Sequence, residues 1–213
     1  VNIDFEIFNS SEIIENNLLT QDVDSTNYIT GNVVNNNLEL IKISSTAGDV
    51  TLAMAVDLNT AGEILTHKAA GEKYIGFLLD NNIQAIDIAR DLYRFMKKRN
   101  AKTLNIAGNG IYTLSKYGCD QSYINEFVVE VIELVNKHLP IEKIYTGGQT
   151  GVDLAGAVAA NYLGIEALIT LPNGYMQRFE DKKDITQTKE DVENQIHYWT
   201  NLIKNKKENK VKP

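Results

Sequence analysis

The sequence predicts an α/β protein: a Rossmann-like parallel sheet flanked by helices, with a β-rich N-terminal extension. Three observations carry this. From residue 81 onward, short apolar runs alternate with segments of helical periodicity, the signature of βαβ units. Two of those runs, "KTLNIAG" and "EKIYTGG", end in glycine just where helical patterns are about to begin. And 213 residues at 43% hydrophobic content are enough to bury a substantial core.

Taken in order, residues 1–40 are polar and Asn-rich and read as short strands and turns. "LELIKIS" (38–44), "DVTLAMAVDL" (49–58) and "KYIGFLLD" (73–80) read as strands, being apolar and partly β-branched. Between the last two, "NTAGEILTHKAAGE" is framed by Gly62 and Gly71 and fits either a short helix or a structured loop. "IQAIDIARDLYRFMKKRN" places Ile83, Ile86, Ala89, Leu92, Tyr93 and Met96 at helical spacing. The strand "KTLNIAG" follows, then a helix that Asp120 caps and Pro140 stops. After "EKIYTGG", "VDLAGAVAANYLG" is a helix of small residues suited to close packing on a sheet, ended by Gly164. "EALITLP" is the next strand, and Thr188 caps the last helix. The chain divides into a β-rich region at 1–80 that adds to the sheet or covers one side of a cleft, a ligand-binding domain at 81–205, and a disordered tail at 206–213.

Composition excludes several function classes. No apolar run approaches the roughly 20 residues of a membrane span. The first residues carry acids and no basic segment, unlike a secretory signal. One cysteine, Cys119, permits no intramolecular disulfide and fits a reducing, cytoplasmic setting. With only three histidines, no cluster has zinc spacing, so neither a metal site nor a cofactor is expected. A net charge of −7 argues against nucleic acid as the partner.

The glycine loops carry the functional signal. Strands in such sheets present ligands at their carboxyl ends. A helix N-terminus after glycine offers free N–H groups to an anion. "TGGQTG" (146–151) has this form, and Gly147, Gly148, Gln149, Thr150, Gly151 and Asp153 are candidate ligand contacts. Gly108, Asn109 and Gly110 of the preceding strand form a second such loop, and two loops on consecutive strands would share one cleft. Neither is a dinucleotide G-x-G-x-x-G nor a Walker loop with Gly-Lys-Ser/Thr.

At these residues the chain resembles the SLOG superfamily of Rossmann-like nucleotide-binding domains. "GGQTGVD", its small-residue helix and "LGI" are similar to the branch labelled molybdenum-cofactor carriers or YpsA-related proteins. "LPNGYMQRFEDKKDITQT" resembles the same branch, and "IAG…LSKYG" is similar to the DNA-processing protein A branch. The resemblance spans roughly residues 101–200. It implies a ligand that is a nucleotide or a nucleotide derivative. The superfamily includes phosphoribohydrolases, single-stranded-DNA-binding proteins and sensors of NAD-derived signals, so fold alone leaves function open.

The phosphoribohydrolase pattern resembles P-G-G-x-G-T-x-x-E. Here Thr150 and Gly151 stand in reversed order and Leu154 occupies the glutamate position. Asp153 falls one residue early, and a helical step of about 100° turns it elsewhere. Asp153 could hold a ribose hydroxyl, or simply favour the first turn of its helix. Gln187 and Thr188 could close the cleft, or Thr188 could serve only as a cap. Arg178 could meet a phosphate, Tyr112 and Tyr117 could stack on a base, and Cys119 has no activating partner nearby. Glu63, with His67 and Lys73, could form a second active loop.

Two functions follow as expectations. The first is a protein that senses, carries or sequesters a nucleotide-derived small molecule, such as an NAD-derived or cyclic nucleotide signal. The second is an N-glycosidase or phosphoribohydrolase using Asp153 or Glu63 as acid or base. A homo-oligomer is expected, because the helix at 122–138 carries more apolar surface (Phe127, Val128, Val131, Ile132, Val135) than one sheet face needs.

Overall fold

The computed structural model describes residues 5–10, 12, 45–80 and 82–211. Six strands form one wholly parallel sheet in the order β1-β6-β5-β4-β2-β3. The strands are β1 (Phe5–Asn9), β2 (Val50–Ala55), β3 (Tyr74–Leu78), β4 (Thr103–Gly108), β5 (Lys143–Thr146) and β6 (Glu166–Leu171). The helices are α1 (Ala61–Ala70), α2 (Ala85–Arg99), α3 (Gln121–Asn136), α4 (Val152–Leu163) and α5 (Lys189–Val211). The α/β expectation holds, and strands from the N-terminal segment occupy both edges of the sheet: β1 beside β6, and β3 outside β2. The expected strand at 38–44 lies outside the described residues.

Each crossover follows from local chemistry. β2 is buried at every position, as a strand covered on both faces must be. The segment left open between helix and loop is α1: Thr60 caps it by accepting from the Glu63 N–H. In α2, Ala85, Ile88, Ala89, Leu92 and Met96 face the core; Ile86, expected on that face, is 54% exposed. Asp120 caps α3 by accepting from the Tyr123 N–H at 2.7 Å. Thr188 and Asp191 exchange hydrogen bonds at the start of α5, where Asp191 N–H donates to the threonine hydroxyl oxygen at 3.1 Å and Thr188 N–H to the carboxylate at 2.8 Å. The α5 helix continues through Val211, into the segment expected to be a disordered tail, where Lys206 pairs with Glu126 and Lys207 with Glu133 of α3.

The main core lies between the sheet and the helices α2, α3 and α4. Gly156 lets α4 approach β4 closely, since a β-carbon there would sit 3.0 Å from Ile106. Side chains alternate along a strand, so Asn105 and Ala107 of β4 face away from Ile106, toward α1. The apolar residues that led us to expect an intermolecular helix face are used within the chain: Val128, Val131, Ile132 and Val135 of α3 are all at most 1% exposed, and Phe127 is 9%.

Candidate functional site

The carboxyl ends of β4 and β5 lie side by side, with Leu104 opposite Ile144 and Ile106 opposite Thr146. The two glycine loops that leave them are hydrogen-bonded to each other. Gly110 and Gly151 form an antiparallel bridge; the Ile111 N–H donates to the Thr150 carbonyl at 3.1 Å and the Val152 N–H to the Asn109 carbonyl at 3.2 Å. A cleft of about 350 Å³ opens above them. Of the residues singled out from the sequence, Gly108, Gly110, Gly147, Gln149, Thr150, Asp153, Glu63, Tyr112 and Arg178 line it. Asn109, Gly148, Gly151, Gln187, Thr188 and Tyr117 do not. Thr188 is taken up in capping α5, and Gln187 donates its backbone N–H to the Gly174 carbonyl at 3.1 Å.

The glycines serve the approach of protein to protein. A β-carbon on Gly147 would overlap the Asp153 carboxyl, and one on Gly151, whose φ is +105°, would lie 2.7 Å from the Ile111 nitrogen. The start of α4 is correspondingly closed. The Gly151 N–H donates to Gln121 Oε1 at 2.6 Å, the Val152 N–H to Asn109 and the Leu154 N–H to the Gln149 carbonyl at 2.8 Å. These donors, which the sequence offers to a phosphate, are already spent within the protein. Gln149 instead fastens a hairpin formed by Gln177–Arg178 and Asp184–Ile185 (β7 and β8): its Nε2 donates to the Met176 carbonyl at 2.7 Å and its Oε1 accepts from the Arg178 N–H at 3.1 Å. Thr150 reinforces this by donating its hydroxyl to the Arg178 carbonyl.

Asp153 is where the structure corrects the helical-wheel argument. Leu154 points into the core, fully buried. The Asp153 carboxyl turns into the cleft beneath Gly147, where the Gly108 N–H favours its ionised form. What aims it is the meeting of the two loops rather than the angular offset from a family template. The structure also brings in Glu63, from α1 on the far wall. Glu63 is 4% exposed; its Oε1 accepts from Asn109 Nδ2 at 3.3 Å, and its Oε2 has no hydrogen-bond partner among the described residues.

The two carboxyls therefore share one water-poor cleft. Burial pushes Glu63 up to about 7, with the Asn109 hydrogen bond working against the rise and Asp57 adding to it. Burial pushes Asp153 up to about 8, helped by the charge of Glu63 and opposed by the Gly108 N–H. Asp153 keeps some exposure to the cleft, but its carboxyl is withdrawn from bulk water. Burial and mutual repulsion thus raise the proton affinity of both carboxyls, and the two titrate as a coupled pair.

Cationic groups lie on and beside the same cleft. Arg178 lies there, paired to Asp184 through two bonds of 2.7 Å. Lys116 stands 3.8 Å and Lys182 5.5 Å from the centre of the Tyr112 ring; a hydrogen bond from Lys116 and the two positive charges hold the Tyr112 hydroxyl below the usual phenol range. Cys119 lies outside the cleft, its thiol pushed up by burial and by Asp120. The sequence reading missed Ser45, Thr66, Asn105, Thr170 and Asp184, which also line the cleft. Two signals were present: Thr66 follows Glu63 at helical spacing, and Asn105 is a polar residue in an otherwise apolar strand.

Among the described residues, no group of three or more His, Cys, Asp or Glu side chains could hold a metal ion, and no helix is long and apolar enough to cross a membrane. In comparisons of the chain with family models, curated proteins and solved structures, nothing matches.

Proposed function

We propose that the cleft binds a nucleotide-derived small molecule, such as an NAD-derived or cyclic nucleotide signal, which the protein senses, carries or sequesters. The observation that carries this reading is a carboxyl oxygen of the buried Glu63 that has no hydrogen-bond partner among the described residues, on a side chain that lines a cleft at the carboxyl edge of a parallel sheet. A buried acceptor without a partner is a place prepared for a donor. The charge layout supports the same reading: Arg178 on the cleft, with Lys116 and Lys182 around Tyr112, suits a phosphate, and the interior suits an uncharged polar group. The likeness of Gly147–Asp153 to the SLOG heptad points the same way.

A second reading, cleavage of the ligand's N-glycosidic bond, is favoured by one observation: Glu63 and Asp153 come from different elements to one cleft, and burial raises the proton affinity of both. In that reaction Asp153 gives its proton to the leaving base nitrogen as the C1′–N bond breaks. Glu63 takes a proton from the water whose oxygen bonds to C1′, so the products are the free base and the sugar. Incubation with a nucleotide panel, followed by denaturation and mass spectrometry, separates the two. Intact ligand returned from the protein supports binding. Free base released by wild type and not by Asp153→Asn establishes cleavage, and a panel in which nothing is retained or cleaved rejects both.

A further inference from the structure

We propose that the wall of the cleft built by α1 and β4 is a subsite for a hydrogen-bond-donating, uncharged part of the ligand, received by Glu63, Thr66 and Asn105. It rests on the reading of the cleft as a nucleotide-derivative site and names what the deep wall takes.

The argument is an accounting of protons. Asn105 is 1% exposed and lines the cleft from β4. Its amide orientation is set by Thr51. The Thr51 hydroxyl gives its one proton to the Ser45 carbonyl at 3.2 Å, so toward Asn105 it offers only lone pairs, and Asn105 must present its NH₂ there, at 3.3 Å. That leaves Asn105 Oδ1 as the free end, and it has no partner among the described residues. Thr66, which also lines the cleft, spends its proton in the same way, on the Gly62 carbonyl at 3.0 Å, and has only lone pairs left to offer. Glu63 is fixed through Asn109, whose Oδ1 accepts from the Asp57 N–H at 3.0 Å and whose NH₂ therefore faces Glu63 Oε1.

Glu63 and Thr66 stand three residues apart on α1, neighbours on one helical face. Among the described residues Asn105 Oδ1 and, once its carboxyl is ionised, Glu63 Oε2 are buried acceptors lacking donors, and Thr66 adds a third set of lone pairs. Such a wall repels phosphate, which has no donor to offer and carries negative charge. It suits a group with several N–H or O–H donors. On a nucleotide derivative these are the ribose hydroxyls or an exocyclic base amine, while the phosphate is left to Arg178 and the lysines around Tyr112.

Calorimetry on the wild-type chain with adenosine 5′-diphosphate, its 2′,3′-dideoxy analogue and inosine 5′-diphosphate tests this. At least tenfold weaker binding of one analogue is expected; the dideoxy compound failing identifies the sugar, and the inosine compound failing identifies the amine. Thr66→Val should weaken the parent compound and leave the affected analogue unchanged. Both analogues matching the parent within twofold overturns the subsite while leaving the nucleotide reading standing. Where none of the three binds, the Glu63 carboxyl carbon is followed by NMR as free ribose and free adenine are titrated in. A response to either keeps the subsite and rejects the nucleotide reading; no response to any of the five rejects both.

Discussion

Replacing Glu63 by glutamine should stabilise the protein, and by an amount that grows with pH. Below about pH 4.5 the carboxyl is protonated in folded and unfolded chains alike. Between there and about 7 the unfolded chain ionises it while the folded chain resists, so stability falls as pH rises and the loss is complete above that window. Each tenfold difference in proton affinity is worth about 1.4 kcal/mol, which makes the full loss roughly 3 kcal/mol. Little solvent screening reduces it, because Glu63 is 4% exposed. Glutamine keeps the size of the side chain and an oxygen for Asn109 Nδ2, so the Asn109 contact survives while the titration disappears.

Urea unfolding of both proteins at pH 5 and pH 8 measures this loss together with the relief of Asp153, whose proton affinity the Glu63 charge helps to raise and which therefore shifts the difference in the same direction. The stability difference, Glu63→Gln minus wild type, should be roughly 2–3 kcal/mol more favourable at pH 8 than at pH 5. Equal denaturant slopes would confirm that the unfolded states are comparable. A difference that moves by less than about 0.5 kcal/mol between the two pH values would refute the reasoning, and with it the picture of Glu63 as a carboxyl held away from water.

Gly148→Val should cost folding stability, about 2–5 kcal/mol by urea unfolding: φ there is +67°, and a β-carbon would meet Ile169 at 2.7 Å and Leu171 at 2.9 Å; an unchanged midpoint would reject the packing role. Arg178→Ala should weaken a phosphorylated ligand by about 1 kcal/mol, the guanidinium being half-exposed and already engaged by Asp184, and leave its dephosphorylated analogue unaffected in the same calorimeter; equal losses for both would remove Arg178 from anion recognition. Light scattering at micromolar concentration tests the expected homo-oligomer, for which Leu78, Ile86, Tyr117 and Tyr123, 48–62% exposed around one groove, remain as uncovered apolar surface; a single-chain mass would reject it.

The alternation of strands and helices was legible because each parallel strand needs a crossover, and a crossover helix announces itself by periodicity and caps. Asp120 and Thr188 could be named as caps from their types alone. The adjacency of β4 and β5 followed from the same logic. The helix α1 was ambiguous because glycines at both ends blur its boundaries, and periodicity misassigned Ile86 because spacing along a helix does not say which apolar residues the neighbouring elements cover. In the site, position was easier to read than role. Glu63 and Asp153 are 90 residues apart in number, and only the register of α1 against β4 brings them together. Asn105 was hidden for the opposite reason: one polar residue in an apolar strand looks like an interruption until the hydroxyl of Thr51 shows which way its amide must turn.

A glycine-rich turn between strand and helix has two physical uses, to admit a ligand to the backbone or to admit another part of the protein. A side-chain-free position distinguishes them by what fills its space. Here the space beside Gly147 holds the Asp153 carboxyl, that beside Gly148 holds Ile169 and Leu171, and that beside Gly151 holds the other loop. The backbone donors at the start of α4 are largely consumed in the same closure. A nest of backbone N–H groups recognises negative charge and little else, whereas a cleft whose free groups are side chains recognises the placement of individual donors and acceptors. The function of the glycines is thus one step removed from the ligand. They draw two loops together tightly enough to aim Asp153, while Gln149 and Thr150 between them fasten the hairpin that carries Arg178. If the cleft takes the proposed nucleotide derivative, changes of selectivity, rather than uniform loss of binding, should accompany substitutions on its walls, because each wall would meet a different part of the same molecule.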